Sequence, residues 1–206
     1  MKITHWIHIR PDVIILDGKA LVSTGKGIEM LTSVYRNRIN DYPKYFKMDS
    51  LSKLGFIASE LLLQEEKERL VNVESRAIVF FNRSSSLCDD KNYQETIRDK
   101  DNYFPSPAIF VYTLPNIVTG EIAIRNKYYG ETSFYVLDCL NTEKMKQIID
   151  DAFQDEVTES VLGGWLECYD NNNFEAYLFI IKKNDKEEFL LDWNIETINK
   201  LIDTNK

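Results

Sequence analysis

A chain of 206 residues is the size of one domain, and with 44% apolar residues it can bury a core of its own. Its 33 acidic against 25 basic side chains leave a net charge of −8, which argues against nucleic acid and anionic membrane surfaces as partners, because phosphates demand a basic face. The three cysteines, Cys88, Cys139 and Cys168, show no Cys-x-x-Cys spacing of a zinc or redox site, so free thiols are expected, with no metal and no cofactor. The stretch Met1 to Trp6 lacks the basic-then-apolar pattern of a signal peptide, and no apolar run approaches the roughly 20 residues of a membrane span. A cytoplasmic, soluble protein is the expectation.

Residues 4–9 and 13–16 are rich in β-formers. Asp17-Gly18 follows them as a hairpin signal, since both turn residues take positive φ. A helix is expected over about residues 27–39, broken by Asp41-Tyr42-Pro43. Asp49 or Ser50 then caps the clearest helix, where Leu51, Leu54, Ala58, Leu61 and Leu62 recur at helical spacing. Gly55 on the same face permits close packing, and residues 64–69 read as solvated. The apolar run 77–81 predicts a strand covered on both faces, with a polar loop, 82–86, at its end. Residues 133–138 read as a strand and 142–153 as a helix with Met145, Ile148, Ile149 and Ala152 inward. Residues 161–166 and 175–182 read as two strands joined by a turn at 170–173. Asn194 caps a last helix with Ile195, Ile198, Leu201 and Ile202 inward. Strands alternating with helices predict an α/β domain, a mixed sheet of about five strands with helices on both faces.

Few residues offer chemistry on their own. His5 and His8, three apart on a strand, point to opposite faces and cannot chelate one metal; both read as surface or edge histidines. Cys88 with Asp89-Asp90 reads as a solvated loop. Asp49 and Glu60 read as a cap and a surface charge rather than an acid–base pair. Ser84-Ser85-Ser86 lacks the Gly-rich nest and Lys of a phosphate loop. Tyr42, Tyr45, Phe46, Tyr103, Phe104, Tyr112, Tyr128 and Tyr129 divide between core packing and a subunit interface.

The order Ser106-Pro107, Leu114-Pro115-Asn116, Gly120-Glu121-Ile122-Ala123, Gly130 and Cys139 resembles the N-terminal half of a β-ketoacyl synthase. In that family a Pro-Asn pair and a Gly-x-Ile-Ala helix lead to a Gly, and the nucleophilic Cys follows nine residues later, as Cys139 follows Gly130. Residues 45–54 look like the family's early helix start, 77–87 like its next strand and loop, and Gly163-Gly164 like its later Gly-Gly. The resemblance runs from about Phe46 to Trp165. Residues 104–107 and 112–121 are also similar to short ketosynthase-like proteins of the 3-oxoacyl-acyl-carrier-protein synthase type.

This resemblance implies a thiolase-like half domain, with residues 1–206 a single unit. Residues 174–206 are a divergent C-terminal hairpin and helix that would cover the face left by the missing half. It implies Cys139 as the catalytic residue, and Pro107, Pro115, Asn116, Gly120 and Gly130 as an interface or structural motif. Departures stand beside it. Leu137-Asp138 and Leu140-Asn141 flank Cys139 where the family has small residues, and an acidic neighbour works against a thiolate. The family's catalytic histidines belong to the absent half, and this chain has only His5 and His8. The implied role is a β-ketoacyl-synthase-like protein of fatty-acid or polyketide-type biosynthesis, in an aryl-polyene or pigment setting. It would act as a non-catalytic or partner-dependent subunit, as a homodimer or as a heterodimer with a full-length ketoacyl synthase, with acyl-carrier protein as a further partner. The alternative is an active 3-oxoacyl-acyl-carrier-protein synthase or acyltransferase using Cys139 with histidines from a partner chain.

Overall fold

Side chains on the central strands alternate between two apolar faces, and the rest of the chain is arranged to cover both. The structure, a computed structural model, describes residues 1–67, 69–101, 103–183 and 190–203. Glu68 of the run read as solvated, and residues 184–189 and 204–206 of the expected C-terminal segment, lie outside the described residues.

The chain opens with strands β1 (Lys2–Arg10), β2 (Val13–Leu16) and β3 (Lys19–Ala20), then helix α1 (Gly27–Val34), which runs on as a π-helical turn, Tyr35–Ile39. A 3-10 turn, Pro43–Lys47, leads into α2 (Ser50–Glu65) and β4 (Arg76–Asn82). Helices α3 (Leu87–Ile97), α4 (Pro107–Phe110) and α5 (Ile117–Asn126) precede β5 (Thr132–Val136) and α6 (Thr142–Ala152). Strands β6 (Ser160–Asp170), β7 (Asn173–Lys182) and β8 (Leu191–Asp192) and helix α7 (Ile195–Asp203) complete it. The sheet has eight strands in the order β3-β2-β1-β7-β6-β4-β5, with β8 paired to β1. Strands β5, β4 and β6 are parallel, and β6, β7, β1, β2 and β3 are antiparallel in turn. The mixed sheet with helices on both faces is as expected. The strand number exceeds about five because β2, β3 and β8 add short pieces that an alternation pattern hardly registers.

Ile78 and Phe80 of β4, Leu162 and Leu166 of β6, and Leu178 and Ile180 of β7 pack under α1, α2 and α5. Val79 and Phe81, Val161 and Trp165, and Phe179 and Ile181 face the other way, against Met145 and Ile149 of α6 and Ile198 and Ile202 of α7. Residues 173–182 form the middle strand of the sheet.

Helix α2 begins where its cap predicts, with the Asp49 carboxylate accepting the Leu51 and Ser52 N–H groups at 3.1 and 3.0 Å. It is buried along nearly its whole length. A Cβ on Gly55 would stand 2.4 Å from Val118 Cγ2, so this glycine lets α5 close over α2. Two acidic residues depart from their expected solvation. Glu60 is 1% exposed and accepts from Arg69 at 2.6 Å and Asn126 at 3.3 Å. Glu66 is also buried, in a bidentate pair with Arg76 at 2.7 Å. Burial pushes the Glu66 carboxyl up, but Arg76 and Lys182 outweigh it and hold the group below the usual carboxylate range. Their partners come from later segments, so each carboxylate trades water for charge-assisted hydrogen bonds.

Gly130 lies in the turn before β5, where a Cβ would meet the Arg76 carbonyl oxygen at 2.1 Å, whereas a Cβ on Gly120 meets nothing within 4 Å. Gly130→Ala is therefore expected to cost about 2–4 kcal/mol, because backbone must shift to admit it. Gly120→Ala, inside α5, is expected to be neutral or to stabilise by up to about 1 kcal/mol. Urea denaturation of the two variants checks the contrast.

Candidate functional site

The parallel strands β4, β5 and β6 end at one rim of the sheet, the place where α/β proteins gather their functional loops. The loop after β4 is held from beneath. Glu167 of β6 is 1% exposed, and its carboxylate accepts the N–H groups of Arg83, Ser84 and Cys168 at 2.8, 3.3 and 3.2 Å, together with the Ser84 hydroxyl. The Asn82 side chain accepts from the Ser85 N–H at 3.0 Å and donates to the Ser85 carbonyl at 2.8 Å. The loop's amide donors at 83–85 are thus engaged within the chain, which leaves Ser84-Ser85-Ser86 no nest for a phosphate.

Beside this loop stand the first turns of α2 and α3. Cys88-Asp89-Asp90, expected as a solvated loop, is the opening of α3, and Asp89 is buried there with one carboxylate oxygen lacking a hydrogen-bond partner. Burial first, and the Asp49 charge second, push the Asp89 carboxyl up to about 6. Burial likewise raises Asp49. No group of three or more His, Cys, Asp and Glu among the described residues is arranged to hold a metal ion.

Cys139 also lies at this rim. The β4–β5 pairing ends with the Leu137 N–H on the Asn82 carbonyl at 2.8 Å, and the exposed Cys139 follows in the connecting loop. Asn141 caps α6 by accepting the Lys144 N–H at 2.9 Å. The thiol therefore precedes the cap, and a side-chain oxygen already meets a first-turn amide. Both histidines of the chain lie on β1, with β7, β6 and β4 between it and β5. Four strand spacings put them about 19 Å from the β5 end of the sheet, far beyond proton-transfer reach of the thiol.

The histidines themselves differ from the expectation of two surface or edge residues. His5 pairs with Asp17 at 2.7 Å, and that hydrogen bond raises its pKa. His8 is fully buried, because β1 is an internal strand between β2 and β7. Its ring stacks on Tyr177 at 4.3 Å, and neither ring nitrogen finds a hydrogen-bond partner. Tyr177 is in register with both His8 and Trp165, so the three rings form a row across β1, β7 and β6. Burial, and secondly Arg10, depress His8 to about 4.

The resemblance-derived motif residues are spread out. Pro107 opens α4 behind the Ser106 cap, Pro115 and Asn116 lead into α5, Gly120 lies within α5 and Gly130 under β4. They do not converge on Cys139. The aromatics divide: Tyr45 and Tyr128 are buried, whereas Phe46, Tyr103, Phe104 and Tyr129 are exposed, Phe104 by 79%. Phe110, Val111 and Leu114 add to the exposed apolar surface around α4.

Strand β5 pairs only with β4 among the described residues, so its outer edge is open. Tyr135 and Val136 are exposed on it, Val136 by 53%. A groove of about 190 Å³, lined by Val79, Glu131, Tyr135, Ile148, Asp151 and Ala152, runs between this edge and α6. Sequence reasoning missed both Glu167 and the open edge. A lone acidic residue inside an apolar strand could have drawn attention to Glu167. Strand order, which local pattern does not encode, was needed for the edge. No single helix among the described residues is long and apolar enough to cross a membrane.

No protein-family model matches the chain, and no curated protein matches it in sequence. Solved structures match in shape. One is the ketosynthase ApeO in complex with its chain length factor ApeC from Xenorhabdus doucetiae, at a TM-score of 0.55 and 15% identity, covering 88% of this chain and 79% of that one. A second is the ishigamide ketosynthase/chain length factor, at 0.64 and 15%, covering 91% of this chain and 63% of that one. A third is the AntDE:AntF complex, a type II polyketide synthase acyl-carrier protein with its ketosynthase bound to the hexaketide, at 0.58 and 13%, covering 88% and 62%. The chain thus spans less than two thirds of the second and third. These likenesses show the fold alone, a mixed α/β architecture shared with ketosynthase and chain-length-factor structures.

The buried ionisable groups set the pH response. His8 binds its proton less readily when folded, about 4 against a usual 6.5, so its contribution to stability is present above 6.5 and is lost as pH falls toward 4. Asp89 acts oppositely over nearly the same range: raised from 3.8 to about 6, it is unfavourable when ionised and is relieved as pH falls below 6. His8→Leu is expected to reduce the loss of stability between pH 6.5 and 4. Asp89→Asn is expected to stabilise at pH 7, with the gain shrinking below pH 6. Denaturant midpoints across that range check both.

Proposed function

We propose that this chain is a partner-dependent, non-catalytic ketosynthase-like subunit of polyketide- or fatty-acid-type biosynthesis. It acts by docking its β5 edge on a full-length ketosynthase. One observation carries the reading: among the described residues the outer side of β5 is unpaired, with Tyr135 lining a groove on one face and Val136 exposed on the other. An edge of this length and character is a template for another strand unless something covers it. The solved structures of like fold support the choice of partner, since two of them hold ketosynthase together with chain length factor. The placement of both histidines on β1, remote from Cys139, supports the non-catalytic part of the reading. An aryl-polyene or pigment pathway and an acyl-carrier protein contacting the assembled pair belong to the same reading.

A second reading keeps one specific observation in its favour. Cys139 is exposed close to the open edge, so a docked partner could bring histidines to it. The chain would then be a 3-oxoacyl-acyl-carrier-protein synthase or acyltransferase completed in trans.

Co-purification with a full-length ketosynthase separates the readings. Val136→Lys is expected to weaken association at least about tenfold while leaving the circular dichroism of the isolated chain unchanged. Association undiminished by this charge would remove β5 as the docking edge. Intact mass after incubation of the complex with an acyl thioester is expected to show no acyl adduct on this chain. An adduct lost in Cys139→Ala would establish the second reading instead.

A further inference from the structure

Two carboxylates line the groove beside β5, and no cation answers them. Glu131 accepts the Ser133 hydroxyl at 2.7 Å. Among the described residues neither Glu131 nor Asp151 has an ion-pair partner. Val79, Ile148 and Ala152 make the rest of the lining apolar, and Tyr135 completes it. The Tyr135 ring stacks on Phe81 at 5.5 Å and is 38% exposed. The backbone of β5 fixes what can reach this groove. The Ile78 N–H donates to the Glu131 carbonyl and the Leu137 N–H to the Asn82 carbonyl, both at 2.8 Å. Backbone groups alternate along a strand, so Ser133 and Tyr135 turn theirs toward β4, while Thr132, Phe134 and Val136 turn theirs outward. A strand laid on this edge sends every second side chain to the α6 face, next to Tyr135.

We infer that this groove receives a lysine or arginine side chain from the ketosynthase strand that pairs with β5. The inference rests on the docking proposed above and adds the chemistry of the partner. The aliphatic stem of the basic residue lies along Val79, Ile148 and Ala152, and its charge reaches Glu131 and Asp151. The exposed part of the Tyr135 ring offers the cation a π face. The intervening side chains of the incoming strand fall on the opposite face of the sheet. There Phe134 packs against the core and Val136 is exposed, so apolar residues suit those positions. The segment that fits is therefore an extended one in which basic residues alternate with apolar ones. A second copy of this edge does not meet the requirement. Residues 130–141 hold no lysine or arginine, and a second copy would bring Glu131 and Asp138 to a groove that is already acidic.

The test titrates the full-length chain with short synthetic peptides in which valine alternates with arginine, glutamine or glutamate, and reads amide chemical shifts by NMR. The arginine peptide is expected to shift Thr132, Phe134 and Val136, and to bind at least about tenfold more tightly than the glutamine peptide. Salt at about 0.5 M should remove that advantage, as should Glu131→Gln combined with Asp151→Asn. Asp12→Asn combined with Glu65→Gln removes the same charge from the β1–β2 turn and the end of α2, and is expected to keep it. Equal binding of the arginine and glutamine peptides, an advantage that survives Glu131→Gln with Asp151→Asn, or no shift on β5 with any peptide would overturn the inference. Association with a full-length ketosynthase separates this result from the docking itself. Association lost in Val136→Lys but undiminished in Glu131→Gln with Asp151→Asn would keep the edge and overturn the basic side chain. An arginine preference without ketosynthase association would overturn the ketosynthase as its source.

Discussion

Strands β4, β6, β7 and β1 sit inside the sheet with apolar side chains on both faces, and most of the architecture follows from that double burial. Two faces require two helical layers, supplied by α1, α2 and α5 on one side and α6 and α7 on the other. The same constraint leaves no polar backbone unpaired in the middle, so incomplete pairing is pushed to the margins of the sheet. One margin, β3, is two residues long and exposed, with a lysine, which is how natural sheets blunt an edge. The other, β5, is longer and aromatic and carries a groove along its flank. The asymmetry between the two margins is the physical content of the proposed role in assembly.

The rim above the parallel strands tells the complementary story. Its loops are ordered by internal partners, with Glu167 and Asn82 occupying the donors that a catalytic loop would offer to a ligand. Cys139 stands outside that network, in solvent and beyond the reach of an imidazole of its own chain. Nucleophilic chemistry needs a base and a stabilised oxyanion near the sulfur. Binding needs only an edge and a surface beside it, and β5 with its groove supplies both.

Local features were legible in the sequence because their physics is local. The Asp49 cap, the Asp17-Gly18 turn, the β4 run and the β6–β7 hairpin each depend on residues within a few positions of one another. The general α/β layering followed from them, and the motif spacing around Cys139 pointed to the fold. What stayed hidden depended on long-range pairing. His8 reads as a polar strand residue until β1 is placed between β2 and β7. Glu60 and Glu66 read as solvated until Arg69, Asn126 and Arg76 arrive beside them.

Hydrogen–deuterium exchange at β5 tests the central claim most directly, because it reads the backbone groups that the docking would pair. In the isolated chain the outward-facing β5 amides are expected to exchange rapidly while those of β6 and β7 are protected. In complex with a full-length ketosynthase, slowed exchange across residues 132–136 is the predicted result. Unchanged exchange there, with new protection confined to other surfaces of the chain, would contradict it.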